Sequence, residues 1–126
     1  MATTGKRILV VEDDRFLRRA CEAGLRQRGF TVLSAADGEE GLRLARAEPP
    51  DLILLDLLMP KLSGIEVLRA LKAEATTRVI PVLILSNSSR ETDVEQVADL
   101  GAVGYFVKAN LSLEELGEQV TRLLEG

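Results

Sequence analysis

The chain has no histidine and no tryptophan, and it has one cysteine, Cys21. A single cysteine excludes an internal disulfide and fits a reducing compartment. With no histidine to activate it, Cys21 reads as a small core residue rather than a nucleophile. Aromatic residues make up only 3% of the chain, so its core must be aliphatic. No apolar run approaches the roughly 18–20 residues that a membrane helix requires. The four apolar residues before Glu12 are too few for a signal peptide. An excess of positive charge is missing as well. The formal net charge is −4, which gives no electrostatic footprint for a nucleic-acid backbone. Arg15, Arg18, Arg19, Arg26 and Arg28 lie close together, but acidic neighbours balance them, and they read as a solvated helix face. These absences point to a cytosolic (cytoplasmic) protein with no membrane or direct nucleic-acid partner.

What is present is regular. At 126 residues, 46% hydrophobic and 29% charged, the chain is long enough for one well-buried core, so residues 1–126 read as a single domain. Ile8-Leu9-Val10-Val11, Phe30 to Ala35, Leu52-Ile53-Leu54-Leu55, Val82-Leu83-Ile84-Leu85 and Tyr105-Phe106-Val107 read as strands. Helical spacing follows each one. Phe16, Leu17, Ala20, Cys21, Gly24 and Leu25 form the first stripe, with Asp14 as N-cap and Gly29 as terminator. Asp37 with Glu40, and Ser112 with Glu115, read as capping boxes for the second and fifth helices. The second helix ends before Pro49-Pro50, and the third opens at Ser63-Gly64-Ile65. Five βα units with right-handed crossovers require a parallel sheet covered on both faces. The fold class is α/β: a flavodoxin-like (βα)5 doubly wound parallel sheet with strand order 2-1-3-4-5.

In such sheets, ligands bind beyond the carboxyl ends of the strands. The four aliphatic residues before Asp56 suit a strand buried on both faces, and Met59-Pro60 stops its continuation. Asp56 therefore faces Glu12 and Asp13, which end the neighbouring first strand, while Ser86 and Lys108 end the fourth and fifth. Three carboxylates at one edge repel one another and shift their pKa values upward unless a cation compensates. Oxygen ligands alone suit Mg²⁺, which is typically held by one or two carboxylates together with phosphate oxygens. An ammonium and a hydroxyl at the same edge suit an anionic group. The combination points to a phosphoryl group carried on a carboxylate.

Val-Val-Glu-Asp-Asp, Asp-Leu-Leu-Met-Pro-Lys-Leu-Ser-Gly, a hydroxyl residue after the fourth strand, and Gly-Ala-Val-Gly-Tyr-Phe-Val-Lys occur in that order. Together they resemble the receiver domain of bacterial two-component response regulators, in a stand-alone form like the chemotaxis regulators. The resemblance covers essentially the whole chain. It implies that Asp56 accepts a phosphoryl group from a sensor histidine kinase or phosphotransfer protein. It further implies that Asp13 and Asp56 bind Mg²⁺ directly, with Glu12 acting through water and the Leu58 backbone carbonyl completing the set. Ser86 would be the switch hydroxyl, Lys108 the cation that pairs with the phosphoryl group, and Tyr105 the aromatic that reports activation. Output would pass to a downstream protein target through the fourth helix, fifth strand and fifth helix. The protein would be a monomer or a weak phosphorylation-linked dimer, and not an enzyme beyond its own phosphorylation and dephosphorylation.

Three positions depart from the family pattern. Ala109 follows Lys108 where the family usually has proline after a cis bond, so either the fold enforces that bond or this loop differs. Asn87 is larger and more polar than the small residue usual after the switch hydroxyl. Leu58 and Ser88 occupy the two variable positions that flank the attacking water, and an aliphatic Leu58 implies slow self-dephosphorylation. Two rival readings are a degenerate receiver that binds partners without phosphorylation, and an aspartyl-phosphate phosphohydrolase. The latter requires a second aspartate two residues after the nucleophile, where this chain has Leu58.

Overall fold

The computed structural model describes residues 5–59, 61–87 and 91–125. Five strands, β1 (Arg7–Val11), β2 (Thr31–Ala35), β3 (Leu52–Asp56), β4 (Val82–Ser86) and β5 (Gly104–Val107), form one sheet. All are parallel, in the order β2-β1-β3-β4-β5. The helices are α1 (Arg15–Gln27), α2 (Gly38–Ala47), α3 (Gly64–Ala73), α4 (Glu91–Asp99) and α5 (Leu113–Glu125). Alternation along each strand assigns the two faces. Leu9 and Val11 join Ile53, Leu55, Ile84, Leu42, Val67, Leu68, Leu71 and Val97 in one cluster, under α2, α3 and α4. Ile8 and Val10 join Leu54, Leu83, Leu85, Cys21, Leu25, Leu116 and Val120 in the other, under α1 and α5. With helices on both faces, every residue of β3 and of β4 is buried, which explains their unbroken aliphatic runs.

Local chemistry sets the helix ends. Asp14 Oδ1 accepts from the N–H groups of Phe16 and Leu17 at 2.9 and 3.1 Å, a cap that typically contributes about 1 kcal/mol. Gly29 terminates α1 with φ +96°, a conformation open to glycine without strain. Ser112 Oγ accepts from Glu115 N–H at 3.2 Å, which is one half of the capping box expected there.

Several expectations need correction. Phe16 is 87% exposed rather than part of the buried stripe, and Leu113 on α5 is 41% exposed. Phe30 is buried in the turn before β2, its N–H donating to Leu25 O, and is not part of the strand. At α2, Glu40 N–H donates to Asp37 Oδ1 at 2.8 Å, but the Glu40 carboxylate reaches Ala36 N–H instead of the cap residue. The reciprocal box forms at Ser63 and Glu66, which starts α3. Of the arginines on and just after α1, Arg15, Arg19 and Arg26 are exposed, as a solvated face requires, whereas Arg18 and Arg28 are half-buried. Arg18, Arg26 and Arg28 donate to the carbonyls of Glu12, Val32 and Glu114.

Candidate functional site

The carboxyl ends of β1 and β3, adjacent in the sheet, bring Glu12, Asp13 and Asp56 together. One carboxylate oxygen from each lies within 4.8 Å of the other two. Asp56 is the last residue of β3 and is 2% exposed, Glu12 is fully buried, and Asp13 is exposed. Asp56 therefore forms the floor and Asp13 the rim.

Lys108 enters from the end of β5, two strands away. Its ammonium lies 2.8 Å from Glu12 Oε1 and 3.1 Å from Asp56 Oδ2, and it donates a hydrogen bond to Glu12 Oε2 at 3.0 Å. Glu12 Oε1 and Asp56 Oδ2 are both buried, and each has the Lys108 ammonium as its ion-pair partner. The other Asp56 oxygen, Oδ1, accepts from Leu58 N–H at 3.3 Å.

The electrostatics follow. Burial, followed by the Glu12 charge, pushes the Asp56 carboxyl up to about 7, and Lys108 only partly opposes them. For Lys108, burial disfavours the ammonium, but the hydrogen bond to Glu12 and the Asp56 charge outweigh it and hold the group above its ordinary value. With all three carboxylates ionised, one ammonium would leave two negative charges unmatched, and the raised Asp56 carboxyl is the protein's response to that excess. An all-oxygen set of three carboxylates facing a single ammonium fits a hard divalent cation such as Mg²⁺.

The remaining candidates take their places around this cluster. Ser86 ends β4 beside β3 and is buried, and Asn87 directly after it is exposed. Tyr105 on β5 is half-buried against the core. Leu58 is 71% exposed at the mouth. Lys108-Ala109-Asn110 forms a 3₁₀ turn closed by Leu111 N–H to Lys108 O at 3.2 Å, and no cis bond occurs among the described residues. The loop therefore departs from the family pattern and does not enforce a cis bond at Ala109. Ser88 and Pro60 lie outside the described residues.

Sequence reasoning missed two contributors. Gly64 opens α3 against the end of β3, where a Cβ would run into the Asp56 carbonyl oxygen and sit 2.6 Å from Leu57 Cα. Its position just after Ser63 was the available signal. Arg18 holds the acidic loop from α1, and nothing in its local sequence separates it from Arg15 or Arg19.

Comparison with known proteins agrees with this geometry. Residues 8–121 match the family model of the response regulator receiver domain. The alkaline phosphatase synthesis transcriptional regulatory protein PhoP of Bacillus subtilis is 38% identical over 119 residues, covering 94% of this chain and 48% of its own length. The transcriptional regulatory protein PrrA of Mycobacterium tuberculosis is 42% identical over 121 residues, with 96% and 51% covered. The chain thus spans about half the length of these curated relatives. Among solved structures, the chemotaxis protein CheY4 of Vibrio cholerae superposes with a TM-score of 0.87 at 28% identity, covering 94% of this chain and 98% of that one. The receiver domain of a signal transduction histidine kinase from Syntrophus aciditrophicus gives 0.87 at 32% identity, with 97% and 92% covered. Short chemotaxis proteins and longer transcriptional regulators share this fold, so a stand-alone protein does not follow from the likeness.

Proposed function

The chain belongs to the response regulator receiver domain family of two-component signalling, and from that premise we propose that Asp56 is its phosphoryl acceptor. The donor is a phosphohistidine on a sensor histidine kinase or phosphotransfer protein. An Asp56 carboxylate oxygen attacks phosphorus, the new P–O bond forms as the N–P bond to the donor breaks, and the imidazole leaves with that bonding pair. Glu12, Asp13 and Asp56, with the Leu58 backbone carbonyl, would hold Mg²⁺. Bound there, the ion supplies positive charge that keeps Asp56 ionised and balances the phosphoryl oxygens. Lys108, already between Glu12 and Asp56, pairs with the phosphoryl group, and Ser86 turns its hydroxyl towards it. That contact biases Tyr105 and α4 between two arrangements of a protein-binding face formed by α4, β5 and α5.

The observation that carries this reading is the buried Asp56 set between two acids and one lysine at a single sheet edge. Intact mass after incubation with acetyl phosphate tests it. A gain of one phosphoryl group that requires Mg²⁺ and is absent in Asp56→Asn is expected. No gain under any condition would overturn the acceptor role and favour a phosphorylation-independent binding module.

A further inference from the structure

The acidic loop is gripped by a residue outside the cluster. β1 ends at Val11, and its register with β3 stops at Val11 opposite Leu55. Glu12 N–H still donates to Ala35 O at 3.0 Å, but the Glu12 carbonyl has passed the end of the ladder. It accepts instead from Arg18 Nη1 at 2.9 Å, six residues along the chain on α1. The guanidinium thus spends this bond on a backbone carbonyl, although carboxylates surround it in sequence.

The consequence falls on Asp13. The Glu12 carbonyl belongs to the peptide plane before the Asp13 Cα, and the Asp14 N–H belongs to the plane after it. Arg18 fixes the first plane. The Glu12 carboxylate fixes the second by accepting from Asp14 N–H at 2.9 Å. Asp14, capping Phe16 and Leu17, anchors the far side of the loop to α1. Two fixed planes determine the backbone dihedrals between them, and hence the direction of the Asp13 Cα–Cβ bond. The Asp13 side chain itself is exposed at the rim, so its aim comes from the backbone beneath it.

We propose that Arg18 is a positioning residue for the cation site: by holding the Glu12–Asp13 peptide plane, it aims the Asp13 carboxylate at Asp56. The proposal rests on the reading of this cluster as the Mg²⁺ site of a phosphoryl acceptor. A plain charge effect has the opposite sign. A guanidinium near a bound cation repels it, so its removal as a charge alone would tighten Mg²⁺ binding. Its removal as a support for a ligand weakens binding, and outer supports of metal ligands typically carry about 10–100-fold in affinity.

The test is isothermal titration of the 126-residue chain with Mg²⁺, for wild type, Arg18→Met, Arg18→Lys, Asp13→Ala and the Asp13→Ala/Arg18→Met double variant. Urea midpoints in EDTA would be measured in parallel, to separate folding from binding. Arg18→Met should raise the Mg²⁺ dissociation constant about tenfold, the lower end of the outer-support range. Arg18→Lys, which keeps a cationic donor on a shorter side chain, should recover part of that loss. In the Asp13→Ala background, Arg18→Met should cost nothing further, since it acts through Asp13. Unchanged or tighter binding in Arg18→Met would overturn the proposal, as would a full additional loss in the Asp13→Ala background. If wild type itself failed to bind Mg²⁺ at millimolar concentration, the underlying reading of the cluster would fail, and this proposal with it.

Discussion

Replacing Asp56 by asparagine removes one charge from the cluster with little change of shape, and the cation-free protein should become more stable as a result. Burial and the Glu12 charge raise Asp56 from 3.8 to about 7 in the folded chain. Between those values the native state holds a proton that the unfolded state has released. Stability therefore falls as pH rises through this window, and the loss is complete above about pH 7. At 1.36 kcal/mol per unit, the shift bounds the whole penalty at about 4 kcal/mol, of which about 3 accrues between pH 5 and pH 8. Asparagine cannot titrate, but it gives up the charge that faces Lys108. The stability difference between Asp56→Asn and wild type should thus widen by about 1–3 kcal/mol from pH 5 to pH 8. Urea unfolding followed by far-UV circular dichroism in EDTA measures it. Saturating Mg²⁺ should flatten the wild-type profile over the same range and leave the variant almost unmoved. A gap that stays constant between pH 5 and pH 8, or a variant less stable than wild type at pH 8 in EDTA, would refute the electrostatic account of the cluster.

Three further outcomes are expected. Gly64→Ala should lose about 1–3 kcal/mol despite alanine's higher helix propensity, because its Cβ meets the Asp56–Leu57 backbone; an equal or higher urea midpoint would contradict that crowding. Burial, followed by the Glu12 charge, pushes the Cys21 thiol up to about 12, so iodoacetamide at pH 8 should label it only after unfolding. Rapid labelling of the folded chain would show that the α1 face opens. Leu58, 71% exposed at the mouth with no polar side-chain atom, cannot orient an attacking water, so the Asp56 phosphoryl group should persist for many minutes. A half-life of seconds, followed by intact mass, would remove Leu58 from that role.

The strand order and the acidic edge were legible because each depends on a simple local rule. Aliphatic runs of four residues end at Glu12, Asp56 and Ser86, the shorter run Tyr105-Phe106-Val107 ends at Lys108, and the order 2-1-3-4-5 sets the first and third strands side by side. Phe16 was misread because helical spacing indicates which face a residue shares, but not whether that turn of the helix still overlies the sheet. At the first turn of α1 it does not. Arg18 and Arg28 were misread because their acceptors are backbone carbonyls, and residue identity carries no record of which carbonyls are left free. The turn at Ala109 was left open by the sequence, since both peptide geometries satisfied it. The switch roles proposed for Ser86 and Tyr105 would depend on a change of state, which a pattern of burial and polarity does not encode.

Lys108 and Glu12 are separated by 96 positions along the chain, yet they share one ion pair at the heart of the cluster. The strand that delivers Lys108 lies at the edge of the sheet and is bonded to β4 alone. A ribosome-bound or partly folded chain can carry Glu12, Asp13 and Asp56 without the ammonium that tempers their repulsion. The ion pairs of Lys108 with Glu12 and Asp56 therefore form only once the C-terminal βα unit has docked, so the charge balance of the acidic cluster is completed by the last strand of the chain.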